Sequence, residues 1–479
     1  MCYRARSFLL FALVMVFLSM LCAAPAGGAE GPDPQVIHRA ALAADADRLA
    51  SLAERHGLDP ASREAFADLV ELGAVLTRLQ HEAGEHVSFD TPGYWECDAG
   101  EARLARHEPE RFPADALVDR LAGRAALLCS SVLDEQRDEF ELGAEATRAS
   151  HIIGRLDGYL AGAVVDAYAN KDEGRVLRAL QRWLRVARLC IESGASSLQV
   201  AGLGSHTKSL ALTMSLLQSN DLTIDQKRAL VSWWSTRPAV DLRGAWEAGL
   251  HDRTLESRAT VSMTAHYSRA AHEAGERGFF STPSELFVQI PDTESVLLAC
   301  DRLVDGFDDG VRDLLGRGMQ GLPQSLYRLS RPTRFDVVFW AGLPPEGLTQ
   351  AQWGACVDMA FRGFAKELDF NTIQWWSEAI RAETVRRSLP LVLQIEEFRD
   401  REGRYPEDLS RLPLASVPLD PFGADGAELR YLVRDPEPRW GRRYDLYSVG
   451  FDGDARDPGQ LQDNGWFYLH DPEEDFRVN

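Results

Sequence analysis

The densest group of chemically competent side chains lies near the carboxyl terminus. There Phe451-Asp452-Gly453-Asp454-Ala455-Arg456-Asp457-Pro458-Gly459-Gln460-Leu461-Gln462-Asp463-Asn464-Gly465 carries four carboxylates and three glycines. A hard cation such as Ca²⁺ takes its oxygens from carboxylates and backbone carbonyls, so it needs acidic residues on a sharply turning backbone. Asp452, Asp454 and Asp457 are spaced to converge on one ion. The segment is not an EF-hand: its sixth position is Asp457, where that loop requires glycine, and the terminal glutamate is missing. On spacing alone a solvated acidic turn is the simpler reading, and the same carboxylates would discourage edge-to-edge strand pairing.

Other constellations are weaker. His81-Glu82-Ala83-Gly84-Glu85-His86 places its histidines five apart, which turns them about 140° from one another on a helix. A zincin needs them four apart, on one face. Gly202-Leu203-Gly204-Ser205-His206-Thr207-Lys208-Ser209 is neither a complete phosphate loop nor a nucleophile elbow; small residues allowing close helix packing explain it better. His251, Asp252, Arg253, Glu256, His266 and His272 would suit a polar groove, with Trp233-Trp234 and Trp375-Trp376 as an aromatic floor, although buried tryptophans are the commoner outcome in a large helical domain. Glu396-Glu397 and Glu473-Glu474 are adjacent, so they diverge and read as solvated charge. No catalytic residues are assigned.

The elements that must position these groups are mostly helical. Apolar residues recur at three and four positions through residues 34–83, as at Leu69, Val70, Leu72, Val75, Leu76 and Leu79, and again, after a loop at residues 90–93, from about 113 to 217. Within residues 174–191, Val176, Leu177, Leu180, Trp183, Leu184, Ala187 and Leu189 face a core. Thr223 with Gln226, Thr282 with Glu285, and Thr349 with Gln352 match capping boxes. Stretches rich in Gly, Pro and Phe at residues 275–283, 316–323 and 343–347 mark loops. A further helix covers residues 383–400, bent by Pro390. Beyond Gly403 the period changes, and residues 429–433, 444–449 and 466–469 read as three antiparallel strands packed on that helix. The expected fold is mainly α: a multi-helix domain of antiparallel helix pairs at residues 30–380, with a sub-boundary near 90–112, then a small α+β module at 381–479 built of a helix and a three-stranded antiparallel sheet.

Arg4 and Arg6 precede an apolar run from Phe8 to Cys22, and the small-residue segment that follows ends with Gly27 and Ala29 before Glu30. This is the layout of a signal peptide over residues 1–29, and the run is shorter than the about 20 residues of a spanning helix. Leu21 stands where lipid attachment at Cys22 wants a small residue, so cleavage, not anchoring, is expected, with no membrane span afterwards. The formal charge of -21 repels phosphate backbones, which disfavours nucleic acid. Lysine occurs only at 171, 208, 227 and 366. Of the cysteines outside the leader, Cys129, Cys190, Cys300 and Cys356 lie in apolar helical runs where thiols act as small hydrophobes. Cys97, in a loop-like setting, is the better disulfide candidate.

The order of motifs in the last hundred residues resembles the major (G-type) pseudopilin of type II secretion systems. Its Gly-x-Tyr-Pro turn is matched by Gly403, Tyr405 and Pro406, and its Asp-Pro-Trp-Gly by Asp420, Pro421 and Gly423, with Phe422 in place of tryptophan. Its strand end is matched by Tyr444, Ser448, Gly450, Asp452 and Gly453, and the acidic loop ends with Asp463 before Trp466. The resemblance covers about residues 383–470 and implies a calcium site, with Asp452 and Asp463 as the leading side-chain ligands, Ser448 or a nearby carbonyl assisting, and Asp454 and Asp457 as further candidates. Pseudopilins begin with a prepilin leader and a long apolar helix; this chain has a cleavable leader and a helical domain instead. As a whole it resembles an uncharacterised class of exported bacterial helical proteins with this same ending, a likeness that implies no activity. The expectation is an exported, non-enzymatic protein of the periplasm or cell surface, stabilised by calcium and acting through protein partners. The alternatives are a secreted hydrolase or glycan-binding enzyme with a groove in the helical domain, and a divergent secretion-system subunit.

Overall fold

The computed structural model describes residues 60–82, 114–124, 139–218, 222–250, 252–254, 257–258, 260–261, 290, 292–317, 322–367, 372–413, 417–420, 428–433, 444–448 and 476–477. The leader expected at 1–29, Cys97, Cys129, the capping box expected at Thr282, the loop expected at 275–283 and the strand expected at 466–469 lie outside these residues. Twelve α-helices are described: α1 Pro60–Glu82, α2 Ala114–Ala122, α3 Glu139–Ala169, α4 Glu173–Ile191, α5 Ser196–Gln218, α6 Ile224–Ser235, α7 Leu242–Ala248, α8 Thr293–Arg317, α9 Leu322–Leu329, α10 Arg334–Ala341, α11 Gln350–Glu367 and α12 Ile373–Glu402. The chain is thus mainly helical, with a small antiparallel sheet near its carboxyl end.

Helical periodicity in the sequence becomes burial. In α1, Leu69, Leu72, Val75, Leu76 and Leu79 are buried while Val70 is exposed, so the inward stripe is narrower than the run of apolar residues. In α4, Leu180, Trp183, Leu184, Ala187 and Leu189 are buried. Helices α3 and α4 are joined by residues 170–172, where Lys171 takes a positive φ of 57° and Asp172 caps α4 by accepting from the Arg175 amide at 2.9 Å. Residues 192–195 then join α4 to α5. Connections this short, between helices that pack on one another, make antiparallel neighbours.

Helix α5 is the centre of the helical part. Sixteen of its 23 residues are buried, polar ones among them, as expected of a helix surrounded by others. It packs against α3, α4 and α12. Two of its threonine hydroxyls are satisfied within the helix: Thr207 donates to the Leu203 carbonyl at 2.9 Å and Thr213 to that of Ser209 at 2.9 Å. Gly202 permits the approach of α4, because a Cβ there would sit 2.7 Å from both the Ala187 carbonyl oxygen and Cys190 Cβ. Helix α8 packs against α10 and α11. An aromatic cluster joins α7, α8, α11 and α12, with Trp246 5.3 Å from Trp375, 5.0 Å from Trp376 and 6.2 Å from Phe307, which is 5.7 Å from Phe364.

The reciprocal side-chain and backbone bonds of a capping box are present at Thr223 with Gln226 and at Thr349 with Gln352, and a further box, unexpected from sequence, joins Thr333 to Asp336. The helix expected at 383–400 is longer: α12 starts at Ile373, continues through Pro390 and closes at Gly403, whose φ of 69° forms the left-handed cap. The expected domain boundary at 380/381 falls inside this helix. Strand β1, Arg430–Val433, pairs antiparallel with β2, Tyr444–Ser448, Arg430 facing Tyr447 and Val433 facing Tyr444. The two-residue segment Phe476–Arg477 pairs with Ser448 and Tyr447. Among the described residues no helix is long and apolar enough to cross a membrane.

Gly202→Ala is expected to destabilise the protein by about 1–3 kcal/mol through overpacking against α4. Gly204→Ala, where a Cβ meets nothing within 4 Å, is expected to stabilise it by about 0.5–1 kcal/mol. Urea unfolding of the two variants, two residues apart and opposite in sign, checks this.

Candidate functional site

Three motif fragments read from the sequence meet where α12 ends. Beyond Gly403, Tyr405 lies 5.2 Å, ring to ring, from Tyr444 at the start of β2, and Tyr431 of β1 lies 5.5 Å from Tyr444. The Tyr431 hydroxyl donates to the Pro406 carbonyl at 3.0 Å. Ser448, the last residue of β2, donates its hydroxyl to Asp420 Oδ1 at 2.8 Å, and both residues are fully buried. The Gly-x-Tyr-Pro turn, Asp420 and the Tyr-x-x-x-Ser strand are therefore parts of one packed unit.

Beneath this unit lies a buried ion-pair network. Glu396 of α12 is 0% exposed in its side chain and accepts from Lys227 Nζ of α6 at 2.9 Å, whose side chain is 1% exposed. Arg399 Nη2 also meets Glu396 Oε2 at 3.0 Å. Arg399 Nη1 donates to the Tyr405 hydroxyl at 3.0 Å, and that hydroxyl donates in turn toward Glu396 Oε1 at 3.4 Å. Burial pushes the Glu396 carboxyl up and the Lys227 ammonium down, and each partner opposes the shift of the other. Burial likewise pushes up the hydroxyls of Tyr405 and Tyr444. The network holds charge; it offers no open face to a substrate.

Reading Glu396-Glu397 as solvated charge is half corrected by this. The two do diverge, and Glu397 pairs near the surface with Arg228 at 2.7 Å, but Glu396 is sealed inside. Its partner was detectable in principle. Lys227 stands with Leu230, Val231 and Trp234, all buried, at the i, i+3, i+4, i+7 positions of one helical face, and a lysine on an apolar stripe calls for a buried anion.

Of the five calcium candidates, Ser448 alone lies among the described residues; Asp452, Asp454, Asp457 and Asp463 lie outside them. The Ser448 hydroxyl is a donor to Asp420. Among the described residues no group of three or more His, Cys, Asp or Glu side chains is placed to hold a metal ion.

The segment from Gly202 to Ser209 lies within α5. Ser205 donates to Asp157 Oδ1 at 2.5 Å, Trp183 Nε1 donates to Asp157 Oδ1 and to the Ser205 hydroxyl, each at 2.8 Å, and Lys208 Nζ reaches Asp157 Oδ2 at 2.8 Å. Ser205 thus donates to a carboxylate in the interior and is 1% exposed, the arrangement of a structural serine. Of the expected aromatic floor, Trp234, Trp375 and Trp376 are core residues at 2–3% exposure, and the half-buried Trp233 has the Arg237 guanidinium 4.6 Å over its ring. Asp252 accepts from the Ser196 amide at 2.6 Å at the start of α5, and Arg253 stacks on Trp246 at 3.5 Å. His251, Glu256, His266, His272 and His86 lie outside the described residues. Cys190, Cys300 and Cys356 are buried, and burial, with Asp157 adding to it, pushes the Cys190 thiol up, so it is inert.

Glu396→Ala is expected to cost about 3–5 kcal/mol, because it strips Lys227 of its counter-charge inside the protein. Lys227→Met combined with Glu396→Leu should recover about half of that loss or more, since the fully buried ammonium leaves with its partner and Arg399, 23% exposed, keeps access to water. Equilibrium unfolding of the parent, the single and the double variant checks both values. Comparisons of the chain with protein-family models, with curated proteins and with solved structures find no match.

Proposed function

We propose that this is an exported, non-enzymatic protein of the periplasm or cell surface that acts by binding other proteins, and that its carboxyl-terminal part is a pseudopilin-like α+β module stabilised by calcium. The observation that carries the interaction role is an exposed apolar ridge on α10 and the loop after it. Phe335 is 77% exposed, Val338 54%, Phe339 74% and Leu343 84%. The first three lie at i, i+3 and i+4, one face of the helix, while Val337 and Ala341 on the other face are buried. Large exposed aromatics on one face mark contact surfaces.

The module reading is supported by the convergence of the Tyr405-Pro406, Asp420 and Tyr444–Ser448 fragments described above. In this reading a third full strand at residues 466–469 completes the sheet. Asp452 and Asp463 hold Ca²⁺, with Ser448 assisting and Asp454 and Asp457 as further ligands. At a dissociation constant of about 10⁻⁴ M and about 1 mM calcium, binding contributes about 1.4 kcal/mol, enough to fix a loop and too little to drive a large rearrangement.

Two measurements test the two halves separately. Calorimetric titration of the protein with Ca²⁺ is expected to show saturable binding that Asp452→Ala/Asp463→Ala abolishes; no binding up to about 5 mM would leave the module without its metal. A photo-reactive residue placed at position 339 in cells exporting the chain is expected to give a discrete protein adduct that Phe335→Ser removes. Absence of an adduct, or one indifferent to Phe335→Ser, would end the interaction reading.

A further inference from the structure

A cavity of about 210 Å³ opens between α5, α12, the carboxyl end of α8 and residues 239–243 leading into α7. Its apolar wall comes from Leu203, Val240, Leu242 and Leu315, and small residues on α12, Ala379 and Ala382, keep it open. His206, Arg243, Glu383 and Arg386 supply its polar groups.

His206 is the informative residue. It is 4% exposed and lines the cavity, yet Nδ1 is buried without a hydrogen-bond partner, a condition that costs about 1–3 kcal/mol when left uncompensated. Burial first, then the positive fields of Arg188 and Arg386, push its pKa down to about 3 against the opposing field of Glu383. The ring therefore stays neutral and presents both a donor and an acceptor.

The charges beside it are unequal. Glu383 accepts Nε and Nη2 of Arg386 at 2.7 and 2.8 Å, and Nε of Arg387 at 2.8 Å. Although burial acts against it, these bonds hold the Glu383 carboxyl below its ordinary value. Arg243 gives Nε to Glu247 at 3.0 Å. Of the charged side chains that line the cavity, two are arginines, Arg243 and Arg386, and one is a carboxylate, Glu383, so an excess of positive charge remains beside an apolar wall. A cavity of about 150 Å³ holds a benzene ring, so by proportion this one holds about eight to ten non-hydrogen atoms.

We propose that this cavity binds a small amphipathic monocarboxylate bearing a hydroxyl or amide. The carboxylate is met by Arg243 and Arg386, the carbon chain lies along Leu203, Val240, Leu242 and Leu315, and the second polar group satisfies His206. None of the calcium candidates lines the cavity, so the proposal does not depend on the calcium reading.

The probe is 3-hydroxyhexanoate, titrated into ¹⁵N-histidine-labelled full-length protein, with the His206 imidazole signals assigned by their loss in His206→Gln. Expected is a saturable shift of those signals and a calorimetric isotherm. Affinity should drop about tenfold in Arg243→Ala, a largely exposed position, as one charge-assisted contact is lost. Ala382→Leu, which fills the cavity, should abolish binding, and 1,3-hexanediol, which lacks the charge, should not bind. The proposal is overturned by no saturation up to about 10 mM, by binding that leaves His206 unmoved, by affinity unchanged in both variants, or by the diol binding as tightly as the acid.

Discussion

Glu396 has no access to water, and an ionised carboxylate in that position must be met by positive charge and hydrogen bonds or give up its proton. It is met from three directions: Lys227 comes from α6, Arg399 from the next turn of α12, and Tyr405 from the chain just past the helix. Each of these elements is fixed by satisfying the same carboxylate. The tyrosines at 405, 431 and 444 close over the network and keep it dry, which strengthens the attractions and raises the penalty for any partner that leaves. The small sheet is thereby seated on the same helix that completes the helical core, and one long element serves both.

The other end of α12 has a matching anchor of different chemistry. Trp375 donates to Gln199 Oε1 at 3.1 Å, and Gln199 in turn donates to the Ala245 carbonyl at 2.7 Å. A single buried amide therefore ties α5, α7 and α12 together inside the aromatic cluster. Arg253, stacked over Trp246, covers that cluster with a cation that suits an aromatic face. Charge at one end of α12 ties it to α6, and the Trp375–Gln199 bond at the other ties it to α5.

Much of this was legible in the sequence because it is local. Capping boxes at Thr223 and Thr349, the stripes of α1 and α4 and the close-packing glycine at 202 are determined by residues within a few positions of one another. The fragments around Tyr405, Asp420 and Ser448 were recognisable by order, and they fold into contact. What was not legible joins distant positions. Nothing near Glu396 in the sequence shows that it will be sealed, since the lysine that neutralises it is 169 residues away. The cavity beside His206 escaped for the same reason: its walls come from four stretches of chain, and a histidine in an apolar helix looks the same whether its ring nitrogens are satisfied or left open. The aromatic pairs misled in the opposite direction, since adjacent tryptophans suit a ligand floor and a helix core equally until burial decides between them.

The burial of α5 has a consequence in time. Its contact with Trp375 spans 176 residues of chain, so at about 5–20 residues per second the ribosome releases α5 roughly 10–35 s before α12 follows. Throughout that interval a helix that ends up buried on most sides has α3 and α4 to shelter it but lacks the neighbour that completes its enclosure. Nascent chains halted between those two helices would display that uncovered strip to every chaperone and protease in reach, which makes the last quarter of the protein the step that commits the rest.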